Sequence, residues 1–352
     1  MDASFTGLRP GPRNLITDVA GLSVGNAEDA HALTGATVVL CQPRATAGVD
    51  MRGGAPGTRE TDVLDPVALV DGVDAVVLSG GSVYGLEAAS AVTVWLGARG
   101  RGFRLRPDAP PAPIVPAAIL FDLANGGDKS WGEAPPYGAL GRKACAAAGE
   151  VFSLGNSGAG LGAIAGPVKG GLGSASVVDD AGLVVGALAA VNALGSPVAP
   201  GTATFWAQPF ELGGEFGGPA RRVTEGVSAL PPFSGTKLSR HGADAAAHTT
   251  IAVVATNAAL SVTEATRVAI MAHDGLARAL RPAHTPFDGD TVFALATGAV
   301  GLPEPRARSL AGLGSLAADT LARAIARAVY EATGIAGIAS YRDGLGAADR
   351  HK

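Results

Sequence analysis

The segment that most constrains the fold is residues 247–257, Ala-His-Thr-Thr-Ile-Ala-Val-Val-Ala-Thr-Asn. From Thr249 onward it has the β-branched and apolar content of a buried strand. The preceding residues, 196–247, are dominated by Pro, Gly and Ala, and so long a loop is unusual in a compact domain unless it has a function. Thr249 and Thr250 stand where this loop enters the strand. Most such pairs are only good strand formers, and the alternative is that the chain is cut before Thr249.

Composition places the chain among globular proteins. Of its 352 residues, 47% are apolar and 16% are charged, enough for one large domain or two closely packed ones. A net charge of −4 gives no electrostatic case for nucleic acid or an anionic membrane. No apolar run is suited to span a bilayer. The first residues lack the pattern of a signal peptide, and Cys41 and Cys145 fit a reducing compartment, so we expect a cytoplasmic protein.

Patterns of apolar residues predict strands along the chain. The clearest is an antiparallel hairpin, in which residues 172–178 and 183–192 flank a turn. Asn192 ends the second strand, where an amide is either a turn former or a donor aimed into a pocket. Further strands are predicted within 14–26 (two short strands around a turn), 35–41, 74–79, 113–123, 249–257 and 288–297.

Helices are predicted between and after these strands. Ser261-Val-Thr-Glu264 is a capping-box pattern, and the apolar residues that follow it fall on one side of a helix. The interleaved strands and helices indicate a layered α/β or α+β fold, and the hairpin argues against a purely parallel sheet. Other helices are expected after the stretch 80–87 through about Leu96, around Tyr137, and from about Ser315 to Thr333.

Two glycine-rich stretches have the outline of ligand-binding loops. Gly80-Gly81-Ser82 joins a strand to a helix, and it either allows tight strand–helix packing or presents backbone N–H groups to an oxyanion. Residues 158–163 have the Gly-x-Gly-x-x-Ala outline of a dinucleotide fingerprint. A fingerprint must open a helix, and the Gly166-Pro167 and Gly170-Gly171 that follow exclude one, so we reject this interpretation.

The chain carries no pattern for a metal site or for a common serine hydrolase. Its six histidines form no His-x-x-x-His pair, and its two cysteines form no Cys-x-x-Cys pair. Gly-x-Ser-x-Gly occurs once, at residues 21–25, where a turn and a short strand are predicted instead of the strand, turn and helix of a nucleophile elbow. Cleavage between His248 and Thr249 would instead create a nucleophile beside its own base. The α-amine of an N-terminal threonine has an ordinary pKa of about 7.7–8.0 and lies next to the hydroxyl.

Self-cleavage and catalysis would both need a hydrogen-bond donor for an oxyanion. The candidates are the amide of Asn192 and the backbone N–H groups of Gly80-Gly81-Ser82. Asp288 and Asp290 flank one glycine, and they could orient the new ammonium group or the hydroxyl. An Asp-Gly-Asp sequence is more often only a turn.

These motifs together resemble the DmpA/BapA-type β-peptidyl aminopeptidases (L-aminopeptidase D-esterases), a family that includes the nylon-oligomer hydrolase NylC. The resemblance runs nearly end to end, and its motifs occur in the same order along the chain. It rests on residues 14–25, 49–61, 78–86, 169–175, 191–192, 249–251 and 288–291.

The resemblance implies a four-layer α/β/β/α sandwich of the N-terminal-nucleophile hydrolase type, similar to that of ornithine acetyltransferase. It implies a single self-processing domain, residues 1–352, that is cut into a large chain, 1–248, and a small chain, 249–352. It further implies a homo-oligomer, commonly a tetramer of cleaved units, and no metal or organic cofactor.

The resemblance also assigns site residues. It puts the self-generated nucleophile at Thr249, the oxyanion-binding and orienting amide at Asn192, a site lysine at Lys169 and an active-site tyrosine at Tyr137. These four positions lie in different motifs, so the fold must bring them together.

The last motifs lean towards the NylC-like branch of the family. Asp288 and Asp290 match its acidic pair, and that branch also uses a threonine nucleophile. One position departs, because His248 stands where the family usually has Asn or Gly. We still expect cleavage, either at a lower rate or at a rate that depends on the protonation of His248.

The sequence therefore predicts a self-cleaving amide hydrolase. The expected substrates are short peptides, β-peptides, or amino-acid amides and esters with a free amine. The first alternative is an endo-acting hydrolase of polyamide (6-aminohexanoate) oligomers. Alternatives of other classes are an acyltransferase of the ornithine acetyltransferase type and an uncleaved binding protein.

Overall fold

The computed structural model describes residues 5–218, 231, 233–238 and 248–344, which form four layers in the order helices, sheet, sheet, helices. No helix among these residues is long and apolar enough to cross a membrane. The helices are α1 Glu87–Gly97, α2 Tyr137–Ala146, α3 Val262–Ala279 and α4 Arg306–Glu331. The strands are β1 Leu22–Asp29, β2 Thr34–Met51, β3 Thr58–Arg59, β4 Val73–Ser79, β5 Ala117–Ile119, β6 Ile164–Ala165, β7 Val168–Lys169, β8 Gly171–Val178, β9 Val184–Asn192, β10 Thr249–Ala258 and β11 Thr291–Val300.

The long strand β2 belongs to both large sheets. Its first half pairs with β1 and β4, and β5 and β3 follow beyond β4. Its second half pairs with β11, and β10, β9 and β8 follow in that order. The pairing register shifts between Leu40 and Ala45, where the strand passes from one sheet to the other. One continuous strand therefore ties the two sheets together.

Three apolar cores fill the spaces between the four layers. The middle core lies between the sheets, and an outer core lies under each pair of helices. Strand β10 shows how one segment serves two cores, because alternate side chains of a strand point to opposite faces. Ile251 and Val253 enter the middle core, whereas Ala252 and Val254 pack under α3 and α4. Burial on both faces explains the continuous apolar run in the sequence.

The pairing around β10 determines which residues meet at its first end. Strand β10 runs parallel to β11 on one side and antiparallel to β9 on the other. Thr249 opens β10, and its register partner is Asn192, the last residue of β9. On the other side His248 pairs with Asp288, just before β11. The fold thus gathers the His248–Thr249 bond, Asn192 and the Asp288 turn at one end of the sheet.

The layered mixed fold and most of its predicted elements are confirmed. The hairpin of β8 and β9 forms as predicted, and Ser261 and Glu264 make the capping box of α3. The rejected fingerprint, at 158–163, holds a short 3-10 turn over Gly158–Gly160. Part of the predicted loop 196–247 lies outside the described residues, and in the described part Phe205 and Phe216 are buried.

Two element predictions are wrong. The first strand predicted within 14–26 is replaced by a 3-10 turn, Ile16–Asp18, because the Asp18 carboxylate accepts hydrogen bonds from the backbone of Arg13 and the hydroxyl of Ser176. Helix α4 begins at Arg306 rather than near Ser315. Proline is tolerated just before a helix, and the Arg306 guanidinium pairs with Glu264 of α3.

The packing of α4 on β8 gives a stability prediction. A Cβ on Gly173 would lie 2.0 Å from the carbonyl oxygen of Ala324 and 2.3 Å from the backbone nitrogen of Ala328. We expect Gly173→Ala to lower the thermal unfolding midpoint by at least about 3 °C, because the helix backbone must move. Gly301→Ala is the control, since a Cβ there meets nothing within 4 Å. Equal midpoints for the two variants would contradict this account of the layer contact.

Candidate active site

The bond between His248 and Thr249 is buried, and two donors point at its carbonyl oxygen. The Thr249 hydroxyl donates to the His248 carbonyl oxygen at 2.5 Å, and the Gly289 backbone N–H donates to the same oxygen at 2.9 Å. His248 and Thr249 are each only 4% exposed. Two hydrogen bonds in a site shielded from water polarise a carbonyl, so its carbon becomes more open to attack by a neighbouring hydroxyl.

The parallel pairing of β10 and β11 builds this arrangement. His248 N–H donates to the Phe287 carbonyl at 3.2 Å, and Gly289 N–H returns a hydrogen bond to His248, so the ladder starts at the bond in question. A Cβ on Gly289 would lie 2.8 Å from the Thr249 hydroxyl oxygen. The Gly289 N–H is a donor that sequence reasoning missed. Its sequence signal was the glycine inside the Asp-Gly-Asp motif, which we interpreted only through its two acids.

Asn192 stands opposite Thr249 with its amide held in one orientation. Its side-chain oxygen accepts hydrogen bonds from the backbone N–H of Ile164 at 3.0 Å and from Asn125 Nδ2 at 3.1 Å. Its Nδ2 donates to the Phe121 carbonyl at 2.8 Å. A backbone N–H can only donate and a carbonyl can only accept, so the network settles which end of the amide is which. The second Nδ2 hydrogen is the part of this side chain that suits an oxyanion.

Asp288 holds the turn beside the His248–Thr249 bond. Its carboxylate accepts hydrogen bonds from the Thr285 hydroxyl at 2.6 Å, the Thr285 N–H at 2.9 Å and the Leu194 N–H at 3.4 Å. Burial, and then the charge of Asp290, raise the pKa of Asp288. Two of these hydrogen bonds hold backbone N–H groups and the third holds the Thr285 side chain, as the turn interpretation expected.

Asp290 holds the residue that follows Thr249. One of its carboxylate oxygens accepts from the Thr250 backbone N–H at 2.8 Å, and the other accepts from the N–H and the ring Nδ1 of His284 at 3.0 and 2.8 Å. Burial works against the charged imidazole, but the hydrogen bond and the charge of Asp290 raise the pKa of His284. His284 is a further residue without a sequence signal.

Two buried lysines lie in the site. Lys169 Nζ donates to the carbonyl oxygens of Gly160 and Gly170, both at 2.8 Å. Lys237 Nζ donates to the backbone and side-chain oxygens of Asn192 at 3.2 and 3.1 Å. Burial lowers the pKa of each lysine to about 7, with Asp122 opposing the shift at Lys169 and Asp288 opposing it at Lys237. Lys237 was missed, because a single lysine in a Gly/Pro-rich stretch carries no pattern.

Tyr137 is buried at the start of α2, in a network centred on Asp122. Its hydroxyl donates to the Thr34 hydroxyl oxygen at 3.2 Å, and Thr34 donates to Asp122 Oδ2 at 2.6 Å. Burial raises the pKa of both Tyr137 and Asp122. The Gly81 backbone fits against the ring, since a Cβ there would lie 2.0 Å from the Tyr137 hydroxyl oxygen.

The prediction that the Gly80-Gly81-Ser82 loop could present free backbone N–H groups to an oxyanion is corrected by the structure. Its three N–H groups are already donated within the protein, to Gly35 O at 2.9 Å, Asp122 Oδ1 at 2.7 Å and Leu120 O at 2.9 Å. Two of these donors are used by backbone carbonyls and the third by the Asp122 carboxylate. The glycines therefore serve tight strand–helix packing, the other interpretation that the sequence allowed.

Residues 121–122 connect the side chains around Thr249 with the hydrogen-bond network of Tyr137. The Phe121 carbonyl accepts from Asn192, beside Thr249, and the next residue, Asp122, centres the network of Tyr137. Asp122 ends an apolar strand-like run just as Asn192 does, and that shared signal could have identified it. Within the described ranges no group of three His, Cys, Asp or Glu side chains could hold a metal ion.

Comparison with known proteins defines the class to which this site belongs. The sequence matches peptidase family S58 over residues 14–342, so the chain belongs to this family of hydrolases. It is 47% identical over 350 residues to an uncharacterized aminopeptidase of Mycobacterium tuberculosis, covering 94% of this chain and 97% of that one. It is 32% identical over 306 residues to the 6-aminohexanoate-oligomer endohydrolase of a Kocuria species, covering 83% and 78%.

Solved structures agree on the fold. A Burkholderia β-aminopeptidase superposes with a TM-score of 0.69 at 23% identity, covering 99% of this chain and 97% of that one. The L-aminopeptidase D-Ala-esterase/amidase of Ochrobactrum anthropi, described as a variant of the N-terminal-nucleophile hydrolase fold, gives 0.68 at 22% identity, covering 93% and 89%. The present chain therefore has the N-terminal-nucleophile hydrolase fold of this aminopeptidase type, as the sequence resemblance implied.

The contact between Gly289 and Thr249 gives a prediction about cleavage. We expect Gly289→Ala to slow the appearance of cleaved chains by about a hundredfold, because a methyl group would displace the hydroxyl or the N–H that points at the His248 carbonyl. Gly289 has no positive φ, so alanine can adopt its backbone conformation, although the new methyl group would also lie 2.7 Å from the Ala55 carbonyl oxygen. The measurement is intact mass against time, with Gly301→Ala as the control. Cleavage of Gly289→Ala at the control rate would contradict the assigned contact.

Proposed function

We propose that this chain is a self-cleaving aminopeptidase in which Thr249 is the nucleophile. One observation supports it above the others: the Thr249 hydroxyl lies on the carbonyl of the preceding residue, and that carbonyl accepts a second hydrogen bond from Gly289. A buried threonine in an ordinary strand has no need of such a contact. The proposal includes a large chain, 1–248, and a small chain, 249–352.

Self-cleavage proceeds by an acyl shift followed by hydrolysis. The Thr249 oxygen attacks the His248 carbonyl carbon, and the oxyanion is stabilised by the Gly289 N–H. The C–N bond then breaks, the hydroxyl proton ends on the Thr249 nitrogen, and an ester remains. Water hydrolyses the ester, which leaves a carboxylate on His248 and restores the hydroxyl of Thr249 beside a free α-amine.

The mature site repeats this chemistry on a substrate amide. The neutral α-amine of Thr249 takes the hydroxyl proton as the oxygen attacks the substrate carbonyl, and it passes that proton to the departing amine. Water then hydrolyses the acyl-enzyme. The second Nδ2 hydrogen of Asn192, opposite Thr249, is suited to donate to the oxyanion. Asp288 and Asp290 keep the turn and Thr250 in place during both steps.

Two substrate classes are compatible with this chemistry. The aminopeptidase names of the mycobacterial relative and of both solved structures support peptides or amides with a free amine. The endohydrolase relative supports 6-aminohexanoate oligomers as the second candidate, at lower identity and coverage. Following the family resemblance, we also propose a homo-oligomer of cleaved units.

A pair of neighbouring variants tests the nucleophile. We expect Thr249→Ala to remain a single chain, because no hydroxyl can attack the His248 carbonyl, whereas Thr249→Ser should still cleave. Thr250→Val is the matched control: Thr250 is equally buried, and its hydroxyl makes no hydrogen bond to the described residues. Intact mass distinguishes one chain from two. Cleavage of Thr249→Ala, or its loss in Thr250→Val, would refute the assignment.

Blocking the substrate amine separates the two substrate classes. For an aminopeptidase, we expect N-acetylation of a short amino-acyl nitroanilide to reduce kcat/KM at least about tenfold, because a site that binds an ammonium group is left unpaired. Linear 6-aminohexanoate oligomers, free and N-acetylated, are the comparison. Internal cleavage of acetylated oligomers at the rate of free ones would instead favour the endohydrolase.

A further inference from the structure

The described part of the chain just before the cleavage point contains a buried lysine. Lys237 is 6% exposed, and its backbone N–H donates to the Leu194 carbonyl at 3.3 Å. Lysine is almost never buried without a reason, since removing an ammonium group from water is costly. Within the described residues, the side-chain hydrogen bonds of Lys237 go to Asn192 alone, which faces Thr249 across the ladder.

Both of these hydrogen bonds act on the amide that faces the nucleophile. The Nζ atom lies 3.1 Å from Asn192 Oδ1 and 3.2 Å from the Asn192 backbone oxygen. With Ile164 and Asn125, it is one of three donors on that side-chain oxygen. Three donors on one oxygen oppose rotation of the amide, and rotation would turn Nδ2 away from its acceptor at Phe121.

The lysine can perform this task without carrying a charge. Burial and the nearby Lys169 lower the pKa of Lys237, whereas Asp288 raises it, and the result is about 7. A neutral amine has two hydrogens, and the two bonds to Asn192 use both of them. The site therefore keeps its donors at neutral pH while avoiding much of the cost of a buried ammonium group.

We propose that Lys237 is a positioning residue that holds the Asn192 amide in its working orientation, during self-cleavage and during hydrolysis of substrates. This inference rests on the proposed function. It also implies that Lys237 stays beside Asn192 after cleavage, although Lys237 precedes the cut whereas Thr249 follows it. The mature site would then be built from residues of both chains.

The test replaces the donors of Lys237 while keeping its aliphatic stem. Lys237→Met should slow self-cleavage and lower kcat at least about tenfold, with KM changed less than about threefold, because the oxyanion donor is needed chiefly in the transition state. The unfolding midpoint should not fall, since an apolar side chain removes a buried polar group. Lys237→Arg, which restores N–H donors, should recover part of both rates. Lys143→Met, on the exposed face of α2, is the control.

The rates and the unfolding midpoint of Lys237→Met together distinguish a positioning role from a structural one. Loss of cleavage or of kcat in Lys237→Met, with its unfolding midpoint retained, supports the positioning role. Wild-type rates in Lys237→Met overturn it, and so does a rate loss that accompanies a fall in the midpoint, which indicates a structural role alone. Failure of the wild-type chain to cleave before Thr249 would refute the proposed function itself, so the two failures are distinguishable.

Discussion

The geometry around Thr249 depends on the hydrogen bond from the Gly289 N–H to the carbonyl oxygen of His248. It begins the parallel ladder of β10 and β11, and it polarises the carbonyl that the Thr249 hydroxyl touches. A structural hydrogen bond of the sheet thus also supplies the donor that the proposed self-cleavage needs. Close packing also explains the glycine, because a Cβ at 289 would press on the Ala55 carbonyl oxygen and on the Thr249 hydroxyl. Sheet register and chemistry are therefore set by one contact.

The four-layer fold lets a chain with few charges build a buried polar site. Burial in an apolar surrounding favours neutral forms, and it moves the pKa of Lys169 and of Lys237 to about 7. Several of its polar groups are satisfied by specific partners, as with the donors gathered on Asn192. Such a site is preorganised, since its dipoles are fixed before the reaction begins. Residues 121–122 connect this site to Tyr137, whose ring packs against Gly81.

The sequence predicted the layered fold well, because strand and helix periods are local properties. It also singled out Thr249 and Asn192, which lie at the ends of clear apolar strands, and the family resemblance added Lys169 and Tyr137. The prediction that Gly80-Gly81-Ser82 could bind an oxyanion was wrong. A glycine indicates that another group comes close to the backbone, but it does not indicate which group. Lys237 and the Gly289 donor escaped prediction because each acts through a contact with a residue some 40 or more positions away, and no local pattern encodes such a pairing.

The most direct test of the central claim is the intact mass of freshly prepared wild-type protein, followed over time at several protein concentrations. The account predicts two products in equal amounts, ending at His248 and beginning at Thr249. They should appear by first-order kinetics at a rate independent of concentration, because the nucleophile and the bond belong to one chain. A persistent full-length chain, a cut at another bond, or a rate that rises with concentration would contradict it.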